Sequence, residues 1–175
     1  LSLVDNAGGR FAISNNNLVV ADANLLDFEV NQSHSITVRA TDAGNATFDA
    51  TFTINITNRN DTPTDIALSN NSVTIPATAG TVVGTLSATD ADVGSTFNYF
   101  LTNNAGGKFQ IVGNELRITD TAVFLSDLQP SYTVTVMVQD QYGANYSESF
   151  TINVTNNSGP SSNQPPTNIT LNNTS

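Results

Sequence analysis

Apolar and polar residues alternate in short runs along most of this chain. In one such run Phe48, Ala50, Phe52, Ile54 and Ile56 share one face, with Thr51, Thr53, Asn55 and Thr57 on the other. A period of two marks a strand with one face buried. Similar runs lie near residues 80–88, 96–101, 109–112, 115–118, 131–138 and 147–154, and a short first strand falls in two pieces near 66–68 and 72–75. The runs are rich in Thr, Val, Ile and Phe and are separated by Gly, Asn, Asp or Pro turns, while no helical period of useful length occurs. The pattern predicts an all-β chain built of seven-stranded Greek-key β-sandwiches of immunoglobulin-like size, arranged in tandem.

The tandem arrangement comes from an internal repeat. Leu3, Ala7, Gly8, Gly9, Phe11, Ile13, Leu18 and Val20 return 98 positions later as Leu101, Ala105, Gly106, Gly107, Phe109, Ile111, Leu116 and Ile118. Asp42, Phe52, Ile54, Asn55, Ile56 and Thr57 return as Asp140, Phe150, Ile152, Asn153, Val154 and Thr155. Self-similarity at a fixed period is the mark of a repeat array. The segment 62–66 recurs at 165–169, which is 103 positions on, so the second linker carries about five extra residues. We therefore expect a window cut from something longer: residues 1–60 a partial repeat lacking its first strands, 61–157 a complete repeat, and 158–175 a flexible linker with the first strand of a following repeat. Residues 156–166, rich in Asn, Ser, Gly, Gln and Pro, have neither periodicity nor bulk and read as that linker, whereas the first junction at 58–63 is short. The partial repeat is expected to expose an edge unless another chain supplies strands, and the segment 169–171 is a candidate for such an exchange.

Composition narrows the partners. Fifteen acidic against five basic residues give a net charge of −10, which argues against nucleic acid or an anionic membrane surface and makes cations the natural counterweight. Only 11% of residues are charged, so Asn, Thr and Ser supply the polar surface. There is no cysteine, hence no disulfide, and no run approaches the roughly 20 apolar residues of a membrane span. No signal peptide is visible, so we expect targeting information to lie outside these residues.

Four short acidic or amide motifs stand out: Leu26-Asp27-Phe28-Glu29, Asn58-Arg59-Asn60-Asp61-Thr62-Pro63, Asp90-Ala91-Asp92, and Asp140 at the end of a strand. In extended chain, residues two apart point the same way, so Asp27 with Glu29 and Asp90 with Asp92 each predict a two-carboxylate claw. If seven-stranded units stack end to end, the four motifs meet at the first junction, and up to six carboxylates would repel one another without a cation. Calcium takes six to eight oxygen ligands in forgiving geometry, which suits loops of carboxylates and amides. With no cysteine and one histidine, zinc and copper are poorly served. Taken singly, each Asp or Asn is equally an ordinary turn former, and their joint occurrence is what points to calcium.

Here the chain resembles the cadherin-like repeats, and specifically those of giant bacterial surface adhesins of the RTX type. Leu26 to Glu29 resembles the family's LDxE motif, Asn58 to Pro63 its DxNDNxP linker, Asp90 to Asp92 its DAD motif, and Asp42 and Asp140 the aspartate of its late-strand motif. The resemblance covers the whole chain and implies three calcium ions per junction, held by Asp27, Glu29, Asn58, Asn60 through its backbone carbonyl, Asp61, Asp90, Asp92 and Asp140. Asn58 stands where the family has an acid, and the glutamate of the first strands would precede Leu1, so two or three ions are expected. At the second junction Asn163 and Gln164 replace Asn60 and Asp61, and Asp127 with Gln129 replaces the LDxE acids. That joint is expected to act as a hinge.

Other residues carry blander readings. His34 reads as a surface residue of a polar loop, Met137 as packing between Val136 and Val138, and Phe11, Phe52, Phe109 and Phe150 as core because they occupy equivalent repeat positions. Tyr142 and Tyr146, in a Gly/Asn-rich turn, offer a stacking surface for a sugar. Neither a nucleophile with a base nor a carboxylate pair spare for acid–base chemistry is present, so no catalysis is expected. The expected function is a calcium-stiffened extender of an extracellular, cell-surface adhesin, with neighbouring repeats of the same chain as partners. A binding module for a polysaccharide, a cell-surface protein or a like repeat on another cell is the alternative, and an accessory repeat of a glycan-degrading enzyme a third.

Overall fold

Strand pairing turns the alternation into structure, and in the computed structural model of the chain, which describes residues 1–119 and 129–156, almost every predicted run becomes a strand. Asp127, the linker and strand of 158–175, and Asn163 and Gln164 within it lie outside the described residues. Those described form two compact units: residues 1–61 with Ala91–Gly94, and Thr62–Asp90 with the residues from Ser95 onward. The first unit holds β1 (Ser2–Asp5), β2 (Phe11–Ser14), β3 (Asn17–Val20), a single 3-10 turn at Ala23–Leu25, β4 (Ser33–Thr41) and β5 (Thr47–Asn55). The second holds β6 (Asp65–Leu68), β7 (Ser72–Ile75), β8 (Val82–Thr89), β9 (Phe97–Asn103), β10 (Phe109–Val112), β11 (Glu115–Ile118), β12 (Ser131–Asp140) and β13 (Asn145–Asn156).

The second unit is a sandwich of two four-stranded sheets, ordered β10-β11-β8-β6 and β7-β13-β12-β9. The chain crosses between sheets after β6, β7, β8, β9 and β11, as a Greek-key sandwich requires. Its first strand is split: β6 runs antiparallel to β8 in one sheet, and β7 runs parallel to β13 in the other. On β12 every second residue from Val134 to Val138 is fully buried, which is the period-two pattern expressed as packing. Val83, Leu116 and Ile118 of one sheet close on Val73, Ile75, Val134 and Ile152 of the other, with Phe109 between. A second cluster joins Ile66 and Leu86 to Val136 and Val138.

The first unit repeats part of this plan in the same register. Leu3 pairs Val38 as Leu101 pairs Val136, Phe11 pairs Val20 as Phe109 pairs Ile118, and the bulge in β1 against β4 recurs in β9 against β12. The Ala-Gly-Gly turn recurs too: Ala7, Gly8 and Gly9 have φ of 54°, 68° and 91°, and Ala105 to Gly107 nearly the same. Three consecutive left-handed residues explain why glycine fills two of the positions. The unit has the sheet β1-β4-β5 and the hairpin β2–β3, with no counterpart of β6, β7 and β8 among the described residues. The consequence is visible in exposure. Leu116 and Ile118 are wholly buried, whereas their equivalents Leu18 and Val20 are 38% and 51% exposed, and Phe52, equivalent to the half-buried Phe150, is 51% exposed.

His34 departs from its sequence reading. It lies within β4, half-buried, with its ring edge-on to Phe11 at 6.2 Å, and its Nε2 is buried without a hydrogen-bond partner among the described residues. Tyr132, its equivalent 98 positions on, meets Phe109 at the same 6.2 Å and nearly the same angle. The histidine therefore fills an aromatic core position.

Candidate metal centre

Glu29, Asp61 and Asp92 come together within the first unit, each offering a carboxylate oxygen within 4.8 Å of the others. Three separate pieces of backbone deliver them. Glu29 stands in the turn that follows Asp27, Asp61 ends the short junction, and Asp92 comes from the loop Ala91–Gly94 between β8 and β9. Pro63, two residues after Asp61, is fully buried and anchors the end of the junction.

Asp92 is the best fixed of the three. It is 8% exposed, Asn58 Nδ2 donates to its Oδ1 at 2.8 Å, and the Asp61 N–H donates to its Oδ2 at 2.7 Å. Hydrogen bonds from two N–H donors orient the carboxylate. Each carboxylate oxygen accepts at two lone-pair sites, so an N–H bond to an oxygen does not by itself prevent that oxygen from ligating a cation. The Asn60 Nδ2 donates to the carbonyl of Asp61 at 2.8 Å, which ties down the same stretch of chain.

The remaining predicted ligands are placed differently. Asp27 and Glu29 are not a claw in extended chain, because residues 28–30 form a turn: Val30 N–H donates to Asp27 Oδ1 at 3.0 Å and Asn31 N–H to the Asp27 carbonyl at 2.9 Å. Asp27 acts there as a turn former, the alternative that its residue type always left open. Asp90 and Asp140 belong to the second unit, Asp90 half-buried and Asp140 3% exposed. Oδ1 of Asp140 accepts from Tyr142 N–H at 2.8 Å and Ala144 N–H at 2.9 Å, and Asp42 does the same with Gly44 and Ala46. This pair of equivalent aspartates closes the two long hairpins. What the sequence did not disclose is the pair of donors on Asp92, for an asparagine 34 positions upstream gives no signal of its partner.

The donor set suits a hard divalent cation. All the clustered side chains present oxygen, the chain has no cysteine, and its one histidine lies in β4 against Phe11. Three like charges at 4.8 Å cost about 1 kcal/mol per pair in bulk water and about 3 kcal/mol at an effective dielectric of 20, a cost that a bound cation reverses.

No protein-family model matches the sequence, and no curated protein matches it. Solved structures do. The chain is similar to the protocadherin PcdhgB3 EC1-4 at 25% identity and a TM-score of 0.63, covering 85% of this chain and 38% of that one. It is similar to Drosophila N-cadherin EC1-4 at 21% identity and 0.63, covering 89% and 41%, and to human mucin-like protocadherin EC1-2 at 18% and 0.54, covering 89% and 83%. The chain thus spans about two fifths of the first two structures, 38% and 41%. Each of these is an extracellular cadherin domain structure, and together they establish a cadherin-like sandwich fold. No helix among the described residues is long and apolar enough to cross a membrane.

Proposed function

We propose that this chain is a calcium-stiffened, non-catalytic extender segment of a large extracellular adhesin of the bacterial surface. The observation that carries the reading is the meeting of Glu29, Asp61 and Asp92, three acids 32 and 31 positions apart, in one cluster. Glu29, Asp61 and Asp92 form the core of the ligand set. Asn58 positions Asp92. Asp27, the Asn60 carbonyl, Asp90 and Asp140 are further oxygen donors that the cadherin-like resemblance supplies. A bound calcium ion neutralises the acids and adds bonds that tie the loop 91–94 to the turn at 27–30 and to the junction at 58–61. Removing it restores the repulsion and frees the loop.

Calcium at external concentrations then orders the segment, and the low concentrations inside a cell leave it loose, which suits a long chain that is exported before it stiffens. Partners are calcium and neighbouring repeats, and the net charge of −10 speaks against nucleic acid. A second reading, recognition of a polysaccharide or a like repeat, has one observation in its favour: Tyr142, in the β12–β13 turn, is 74% exposed.

Thermal unfolding with calcium and with chelator tests the proposal. Ligand at a hundred times its dissociation constant stabilises by about 2.7 kcal/mol. For a unit of this size that raises the melting temperature by roughly 10–20 °C. An unchanged melting temperature would leave the acids as turn formers and sink the extender reading.

A further inference from the structure

The sandwich of the second unit has two unlike outer faces. On the sheet β10-β11-β8-β6 the outward positions include Asp65, Glu115 and Arg117. On the sheet β7-β13-β12-β9 every outward position is Ser, Thr, Asn or Gln except two, Phe100 of β9 and Met137 of β12, and none carries a charge. Those two are direct cross-strand partners, Phe100 45% exposed and Met137 half-buried beside it. The first unit is built differently at the same register. Arg39 and Asp49, the equivalents of Met137 and Ser147, face each other across β4 and β5 and form an ion pair at 2.7 Å. The strand pairing is the same in both units, so the fold does not require an apolar pair on this face.

We infer that this uncharged face is where two copies of the chain meet, the sheet β7-β13-β12-β9 of one packing face to face on that of the other about a two-fold axis, with Phe100 and Met137 as the apolar anchor. Charge selects the occupant. With a net charge of −10 two copies repel, and the face without charges is where they approach at least cost. A two-fold contact is self-complementary, so the anchor of one copy meets the same anchor of the other. The polar residues around it are prepared for the loss of water: the hydroxyls of Thr135 and Ser149 hydrogen-bond each other at 2.9 Å, and those of Thr74 and Thr155 at 2.8 Å. Four strands averaging about eight residues, at about 3.3 Å per residue and about 4.8 Å between strands, outline about 500 Å² per copy. Two copies close over about 1,000 Å², the lower end for a specific interface, so the dimer is weak and forms as concentration rises. The inference stands apart from the calcium reading, since none of its residues belongs to the acidic cluster.

Sedimentation equilibrium of the full chain over a concentration series, in calcium and in chelator, tests it together with the double variant Met137→Arg with Ser147→Asp. The two substitutions transplant the ion pair that the first unit holds at this register, so they keep the net charge at −10 and place charges on the face. The wild type is expected to rise toward twice the 18.4 kDa chain mass, more readily at high salt because its charge opposes association. The variant is expected to stay at the single-chain mass with an unchanged urea transition by tyrosine fluorescence. A wild type that stays monomeric throughout overturns the inference, as does a variant that associates like the wild type. A monomeric wild type whose Met137 methyl resonance shifts on adding dextran assigns the face to a neutral glycan and equally overturns it. Should the variant unfold, the same resonance decides the matter in the wild type, because the chain has one methionine. Its signal must move as concentration rises, and a constant position refutes the contact.

Discussion

Leu116 and Leu18 occupy the same place in two copies of one repeat, yet only Leu116 is covered, so replacing each by alanine weighs burial against sequence position. Leu116 is wholly buried between the sheets of the second unit. Its truncation removes three carbon groups at about 0.8 kcal/mol each, and the cavity left behind brings such changes to about 3–4 kcal/mol. Leu18 is 38% exposed. Its truncation forfeits about three fifths of the transfer term, roughly 1.5 kcal/mol, and leaves little cavity. Tyrosine fluorescence in urea separates the two, because the chain has no tryptophan and its tyrosines, Tyr99, Tyr132, Tyr142 and Tyr146, all lie in the second unit. Leu116→Ala is expected to lower the tyrosine midpoint by roughly 1–3 M urea. Leu18→Ala is expected to leave that midpoint in place and to lower only the protection of first-unit amides in hydrogen exchange. Equal tyrosine shifts in both variants, or a loss below about 1 kcal/mol for Leu116→Ala, would refute the account of the core.

Further outcomes follow from particular contacts. A Cβ at Gly84 would lie 2.5 Å from the Asn70 carbonyl oxygen and 2.9 Å from its nitrogen, so Gly84→Ala should cost about 2–3 kcal/mol in the same tyrosine assay. Asp140→Ala should lose about 1–3 kcal/mol, because two backbone N–H groups lose their acceptor, while Asp140→Asn keeps the Oδ1 acceptor and should retain most of the stability in chelator. The Asp49 carboxyl is held below its ordinary 3.8 by the hydrogen bonds from Arg39, aided by that residue's charge. A depressed value contributes stability above the ordinary pKa that is lost as pH falls through the depressed one. The small effect of this exposed pair therefore appears only below about pH 4, and an NMR titration should show the Asp49 value rising to the ordinary one in Arg39→Gln.

The strands were legible because each has one buried face, and a period of two survives in the sequence wherever that is so. The runs at 109–112 and 115–118 fell on β10 and β11 without adjustment, and the run at 131–138 fell two residues short of the end of β12. Partner choice was not legible: nothing in Ser72 to Ile75 announces a parallel pairing with β13. His34 was misread for a related reason. Flanked by Ser33 and Ser35, it shows no local pattern, and only its distance of 98 from Tyr132 marks it as a core aromatic. In the acidic cluster the conformation within each loop decides which acid turns toward the others. Asp27 spends an oxygen on its own turn, Glu29 two residues later joins Asp61 and Asp92, and extended-chain reasoning cannot distinguish them.

Calcium bound per chain, measured by equilibrium dialysis for the wild type and for Asp92→Asn and Asp61→Asn, tests the central claim most directly. We expect the wild type to take up calcium with a dissociation constant of roughly 0.1–1 mM or tighter, in the range of extracellular modules. Each substitution should remove at least one ion while the tyrosine urea transition in chelator stays where it was. A wild type that binds no calcium, or substitutions that leave the bound count unchanged, would contradict the claim that Glu29, Asp61 and Asp92 hold the ion.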